Sequence, residues 1–253
     1  MCFVKSSLKI IVDFFQRTRI SRLKKNHKNN QSESMSKLIW KLTILCVIMI
    51  FIVIDGIDGS GKDTQAKFIY EKYIERNNNF QTNKIVNLRS HPESDNIFGK
   101  ICHNALSKKG TLRIFIAGIC YILDIIRSLI LYCPKSDILI FSRYLLGVIY
   151  IPHPLVKISY VFLNFILPTP EYMFFLDIHP QEAMERILKR NNHESTNLQA
   201  FENEKSLKKC RKKAILITKN WKKINANKNQ DKIREEIECI LDINQCYYST
   251  SPK

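Results

Sequence analysis

From Ile50 onward the chain alternates between short runs of consecutive apolar residues and longer stretches in which apolar positions recur every three or four residues. The short runs at 50–54, 85–88, 138–141 and 172–176 are rich in β-branched and aromatic side chains. Runs of that length and composition predict strands buried on both faces. A weaker run at 221–224 is a further candidate. Between them, 63–76, 111–131, 180–190 and 201–219 carry the helical period. Strands alternating with helices predict an α/β domain, a parallel sheet covered by helices on both faces. No internal repeat is visible.

The apolar stretch 38–54 resembles a membrane span at first sight. Lys41 interrupts it, and the uncharged part, 42–54, is shorter than the roughly 20 residues a spanning helix needs. Its second half runs straight into a glycine-rich turn, which suits a central strand better. A signal peptide at this depth also lacks a small-residue cleavage site. Ahead of it, 21–37 is polar, basic and asparagine-rich, a composition that builds no core. Residues 8–15 with Arg17, Arg19 and Arg22 have the pattern of a short basic amphipathic helix. Residues 1–48 are therefore read as an extension outside the working domain, with Met35 and Met49 both eligible as starts. The domain is placed at 49–245 and a tail at 246–253.

A chain of 253 residues with 45% hydrophobic content is long enough for one substantial core. Its formal charge of +17 favours anionic partners. The charge is uneven: ten basic residues against Asp13 and Glu33 in 1–48 give that segment a net +8. Aromatic residues are not interleaved with the basic ones there as a stacking surface for nucleic acid requires, so no nucleic-acid partner is expected. The eight cysteines lie singly, with no pair at metal-ligand spacing, and Cys102 beside His103 lacks a second pair. A reducing cytoplasm is the compartment this implies.

The strongest chemical signal is Gly56-Ile57-Asp58-Gly59-Ser60-Gly61-Lys62, which holds three of the chain's 7 glycines. Glycines let successive backbone N–H groups turn toward a phosphate, and the following helix adds its positive end. Lys62 then reaches the β and γ phosphates of a nucleotide. A strand before and a helix after give the motif its proper context. Where a Ser or Thr normally follows the lysine to ligate magnesium, Asp63 stands instead. Either Asp63 supplies a carboxylate oxygen to the metal or it points away and Thr64 serves. Asp58 lies where phosphates come, so it is read as facing the second substrate, with a turn-forming role as the alternative.

With Gly56 to Gln65 in view, the chain resembles the thymidylate kinase family, especially its archaeal members, over about 50–241. Further segments carry the resemblance in order. They are Asn87-Leu88-Arg89-Ser90-His91-Pro92, Tyr121 to Arg127, Phe141-Ser142-Arg143-Tyr144, Pro170 to Asp177, and Glu182 to Ile187 with Phe201-Glu202-Asn203. The resemblance implies a P-loop doubly wound sheet of about five strands with a helical lid around 186–200, and often a homodimer. It implies magnesium-dependent transfer of the ATP γ-phosphate to dTMP, giving dTDP and ADP; Asp63 and Thr64 are the candidate magnesium ligands. ATP is expected on Gly56, Ile57, Asp58, Gly59, Ser60, Gly61, Lys62, Asp63 and Thr64.

Arginines recur because phosphoryl transfer consists mostly of positioning anions and neutralising charge, which guanidinium forks do well. On the resemblance, Arg89, Arg127 and Arg143 with Asp58 hold the acceptor. Arg186 and Arg190 join Lys62 and Arg143 at the transferring group when the lid closes. Phe98, Tyr121 and Tyr150 are the candidates for stacking on the base, with core roles as the alternative. Ser142 stands where the family has aspartate, a second departure, and Asp63 is expected to restore the missing carboxylate. The alternatives are a kinase for another nucleoside monophosphate and a nucleotide-binding protein without turnover. No Cys/His or Ser/His arrangement suggests a covalent enzyme intermediate.

Overall fold

The computed structural model describes residues 49–106, 111–151, 155–194 and 203–241. The chain divides into two units, Met1–Ile48 and Met49–Lys253, and the described residues belong to the second. The extension 1–48 and the tail 246–253 lie outside the described residues.

Five strands form one parallel sheet: β1 (Ile50–Gly56), β2 (Val86–Ser90), β3 (Ile138–Ser142), β4 (Tyr172–Asp177) and β5 (Lys222–Asn225), in the order β2-β3-β1-β4-β5. β1 lies between β3 and β4, with Ile52 beside Ile140 and Ile54 beside Phe174. Such a position has no solvent face, which is why Phe51, Ile52, Val53 and Ile54 are consecutively apolar and buried. β5 closes one edge, and of its four residues only Ile224 is buried, the usual composition of an edge strand.

Seven α-helices are described: α1 (Lys62–Asn79), α2 (Ile97–Leu106), α3 (Thr111–Tyr132), α4 (Leu155–Ile166), α5 (Pro180–Glu194), α6 (Glu204–Ile217) and α7 (Gln230–Leu241). The four helices read from sequence are present with shifted ends. α6 begins later than the expected 201 because Asn203 caps it, accepting from the Ser206 N–H at 2.9 Å. It ends at Thr218, whose hydroxyl turns back to the Ala214 carbonyl at 2.8 Å. α2, α4 and α7 are additional to the elements read from sequence. α7 hides its apolar stripe, Ile233, Ile237 and Leu241, among six charged residues. α4 carries only Lys157, Ser159 and Asn164 among nine apolar residues.

The core is centred on an aromatic cluster in which Phe51 meets Phe141 and Tyr144 edge-on, at ring separations of 5.1 and 5.3 Å. Ile69 of α1, Ile125 and Leu129 of α3 and Ile237 of α7 are fully buried around the sheet. Each strand runs in the same direction, so the segments that leave β1, β2 and β3 emerge on one edge. That edge is where a doubly wound sheet binds its ligands.

Candidate active site

The turn after β1 is shaped by two glycines in left-handed backbone conformations that few other residues tolerate. Gly59 has φ +80°, and a Cβ there would lie 2.4 Å from the Ala183 carbonyl oxygen. Gly61 has φ +84° and forms the left-handed cap from which α1 begins. The chain thereby doubles back and aims the first turn of α1 into the loop, the arrangement that receives a phosphate. Lys62 is buried; its Nζ donates to the Ile57 carbonyl at 3.2 Å and to Asp58 Oδ1 at 3.1 Å. The Ser60 hydroxyl is buried in the same loop with no hydrogen-bond partner among the described residues. A buried hydroxyl without a partner is costly unless a ligand supplies one. That is the observation of fit for a nucleotide phosphate.

Asp58 collects three donors. Lys62 and Arg143 Nη2 share its Oδ1, at 3.1 and 3.2 Å, and the Tyr150 hydroxyl donates to Oδ2 at 2.6 Å. Burial alone raises a carboxyl, but Lys62 and Arg143 outweigh it and hold Asp58 well below the usual carboxylate range. In Arg143, burial favours the neutral form, and Asp58 and Asp63 outweigh that and keep the guanidinium charged. Arg143 adopts φ 69°, unusual for a residue with a side chain. What holds it there is Asp55 at the end of β1. Its Oδ2 accepts from the backbone N–H groups of Tyr144 and Leu146 at 2.8 and 3.1 Å, and Arg143 N donates to Ile54 O at 3.1 Å. Burial pushes the Asp55 carboxyl up against these backbone donors. The sequence signal for Asp55 was an acid ending an apolar strand, one residue before the glycine loop.

Asp63, in the first turn of α1, receives hydroxyls from two strand ends. Ser90 donates to its Oδ1 at 2.7 Å and Ser142 to the same oxygen at 2.5 Å. Its Oδ2 is 3.9 Å from Arg143 Nη2, and the side chain remains 55% exposed. Burial opposes ionisation, but Lys62, Arg143 and the two hydroxyls prevail and lower the carboxyl. Magnesium prefers a carboxylate oxygen together with phosphate oxygens and water, and Oδ2 of Asp63 has that character. No group of three or more His, Cys, Asp or Glu side chains among the described residues forms a metal cage. Thr64 is exposed beside Asp63. Cys102 and His103 serve elsewhere: the Cys102 thiol, pushed up to about 12 chiefly by burial, donates to Ala117 O, and His103 Nε2 meets Pro92 O at 3.1 Å.

A second group of side chains gathers after β2. Arg127 Nη1 donates to Glu93 Oε2 at 3.1 Å, and Arg89 Nε lies 3.7 Å from Glu93 Oε1. The Arg89 guanidinium lies over the Tyr132 ring at 3.6 Å. Behind them, Asp124 is fully buried; its Oδ2 meets His91 Nδ1 at 2.9 Å and accepts from Glu93 N at 2.8 Å, and its Oδ1 accepts from Asn96 Nδ2 at 2.7 Å. Glu93 and Asp124 were missed from sequence. Their signals were slight: an acid just after a strand-end proline, and an acid on an otherwise apolar helix.

The structure thus joins Arg143 with Asp58, Lys62 and Asp63, and joins Arg89 with Arg127 around Glu93. Ser90 links the two groups, since it follows Arg89 and bonds Asp63. Arg186 and Arg190 lie apart, on α5. Arg186 donates to Glu182 at 3.3 Å and to the Ala226 carbonyl at 3.1 Å, and Arg190 Nε donates to Asn191 at 3.3 Å. Of the lid expected around 186–200, residues 186–194 belong to α5 and 195–200 lie outside the described residues. Tyr121 is buried, its hydroxyl donating to the Tyr144 carbonyl at 3.1 Å. Phe98 is half-buried on α2.

The sequence profile of the thymidylate kinase family matches residues 54–237. A probable thymidylate kinase of Sulfolobus acidocaldarius is 32% identical over 199 residues, covering 76% of this chain and 96% of the relative. The solved structure of thymidylate kinase from Candida albicans superposes with a TM-score of 0.59 at 17% identity, over 78% of this chain and 92% of that one. The last likeness concerns the fold: a five-stranded parallel sheet carrying a phosphate loop.

Proposed function

From the chain's membership of the thymidylate kinase family, we propose that it transfers the terminal phosphate of ATP to dTMP, giving dTDP and ADP. The observation that carries this is Asp58, placed inside the phosphate loop and bonded at once to Lys62, Arg143 and Tyr150. A loop that served ATP alone has no need of an acid there. An acid that ties the donor-side lysine to an arginine from the β3 end marks the boundary between two anionic substrates.

In the reaction, an oxygen of the acceptor phosphate bonds to the γ-phosphorus while the bond from that phosphorus to the β–γ bridging oxygen breaks. Gly56, Ile57, Asp58, Gly59, Ser60, Gly61, Lys62, Asp63 and Thr64 cradle the donor phosphates. Lys62 exchanges its contact with Asp58 for phosphate oxygens, which frees Asp58 for a sugar hydroxyl of the acceptor. Arg143 stands between the substrates and neutralises charge on the moving group. Arg89 and Arg127 bind the acceptor phosphate, and Arg186 and Arg190 approach from α5. Asp63 and Thr64 would hold magnesium, which would supply charge neutralisation at the donor phosphates.

Two lesser assignments accompany this one. α3 is long and apolar enough to cross a membrane, but it carries Asp124 and Ser128 fully buried in the polar network behind the site. It is therefore read as a core helix whose outer apolar face is covered by a second copy of the chain. Cys102, Cys120, Cys210 and Cys239 are free thiols, which suits the cytoplasm.

A coupled ATP-consumption assay of the full chain with magnesium and dTMP, dUMP, CMP, UMP and AMP tests the proposal. Preference for dTMP is the expected result; a protein that binds ATP yet transfers to none of these would refute it.

A further inference from the structure

Two arginines on different elements converge on one carboxylate. Arg89 lies on β2 and Arg127 on α3; both meet Glu93, whose side chain is only 6% exposed. Each arginine keeps a solvent-facing portion, with 25% and 32% of its side chain exposed. Glu93 supplies negative charge beside both guanidinium groups, 3.7 Å from Arg89 Nε and 3.1 Å from Arg127 Nη1, and so offsets their mutual repulsion.

Glu93 is anchored from behind by hydrogen bonds and close packing. Its N–H is held by Asp124 at 2.8 Å, and its Oε1 accepts from the Ser128 hydroxyl at 3.2 Å. Its carbonyl packs so tightly on Gly99 that a Cβ there would lie 1.6 Å away. Asp124 is itself fixed by His91 and Asn96. The arginines are the movable partners, and Tyr132 sets the plane of Arg89.

We propose that Glu93 is the positioning residue of the acceptor site, fixing the spacing of the Arg89 and Arg127 guanidinium groups so that together they present one socket for the phosphate of a nucleoside monophosphate. This rests on the assignment of Arg89 and Arg127 to the acceptor. Glu93 itself does not touch the substrate. Its negative charge opposes the substrate phosphate at longer range, so field and geometry predict opposite effects of removing it.

The test is calorimetric and kinetic, on the full chain. Glu93→Gln keeps the shape and removes the charge. The expected result is a dissociation constant and KM for dTMP raised about tenfold or more, with ATP affinity within about twofold and kcat far less affected. Tyr132→Leu, which leaves the buried network intact, should raise the dTMP KM in the same sense and by less. Unchanged or tighter dTMP binding by Glu93→Gln would overturn the proposal. So would a parallel loss of dTMP affinity, ATP affinity and melting temperature, the mark of a purely structural role. If the parent protein binds ATP but no nucleoside monophosphate, the acceptor assignment fails instead, before Glu93 is reached.

Discussion

The Ser142 hydroxyl donates to Asp63 Oδ1 at 2.5 Å, tying the end of β3 to the first turn of α1 across 79 residues. Asp63 departs from the general phosphate-loop motif, in which a Ser or Thr follows the lysine, and Ser142 from the aspartate expected at the end of β3; the fold brings the two into contact. One carboxylate and one hydroxyl face each other, with their hosts exchanged. Ser90 donates to the same Oδ1, while Oδ2 lies 3.9 Å from Arg143 Nη2.

The exchange is testable through the magnesium dependence of ATP binding. Asp63→Ala should weaken the magnesium-dependent component by about 10–100-fold, with metal-free binding little changed or improved. Ser142→Asp alone should be destabilising, since it sets two carboxylates against each other. Asp63→Ser combined with Ser142→Asp should recover most of the metal dependence. Calorimetric titration with ATP, with and without magnesium, measures all three. Metal dependence unaltered in Asp63→Ala would remove Asp63 from the metal site.

Asp58 makes a prediction about pH. Its folded carboxyl lies far below the ordinary value, so its contribution to stability is fully present above about pH 4. It is lost as the pH falls toward the much lower folded value. Asp58→Asn removes the charged acceptor of Lys62 and Arg143, and should cost about 3 kcal/mol at neutral pH. It should also flatten the acid limb of the stability curve. Urea denaturation at pH 7 and pH 3 checks both: the two proteins should differ clearly less at pH 3.

The sheet was legible because a strand without a solvent face must be apolar at every position, as in 51–54. The phosphate loop was legible because Gly59 and Gly61 occupy backbone conformations that few other residues tolerate. α4 and α7 were not, one for want of polar contrast and the other for want of apolar length. Asp55, Glu93 and Asp124 illustrate a different limit. Each works through groups brought close only by folding: Asp55 reaches Leu146 across 91 residues, and Glu93 meets Arg127 across 34. A lone acid on an apolar helix announces a buried network without naming its members.

Gly59 and Gly61 share a positive φ yet differ in surroundings, and their alanine variants should separate strain from collision. At Gly61 an added Cβ meets nothing within 4 Å, so only the left-handed backbone is penalised, by about 1–2 kcal/mol. At Gly59 the Cβ would strike the Ala183 carbonyl of α5, adding an overpacking cost of about 1–3 kcal/mol. Gly59→Ala should therefore have the lower melting temperature by several degrees and the greater loss of ATP affinity. Thermal denaturation with and without ATP reads both effects. Equal destabilisation would mean that α5 yields freely to the loop.

The outer face of α3 supplies the final expectation. Leu112, Phe115 and Ile119 recur at helical spacing and are 74%, 64% and 50% exposed. A contiguous apolar face of this kind ordinarily marks a contact surface. Burying each such side chain stabilises an association by about 1.5–3 kcal/mol, enough for three from each copy to offset the loss of free tumbling. Multi-angle light scattering of the full chain should report a dimer. Phe115→Glu with Ile119→Lys should convert it to a monomer that keeps its ATP affinity, because neither residue belongs to the phosphate loop. A monomeric parent protein at micromolar concentration would assign this face to some other partner. Loss of ATP binding along with the dimer would mean instead that the contact braces α3, and through Asp124 and Arg127 the acceptor side of the site.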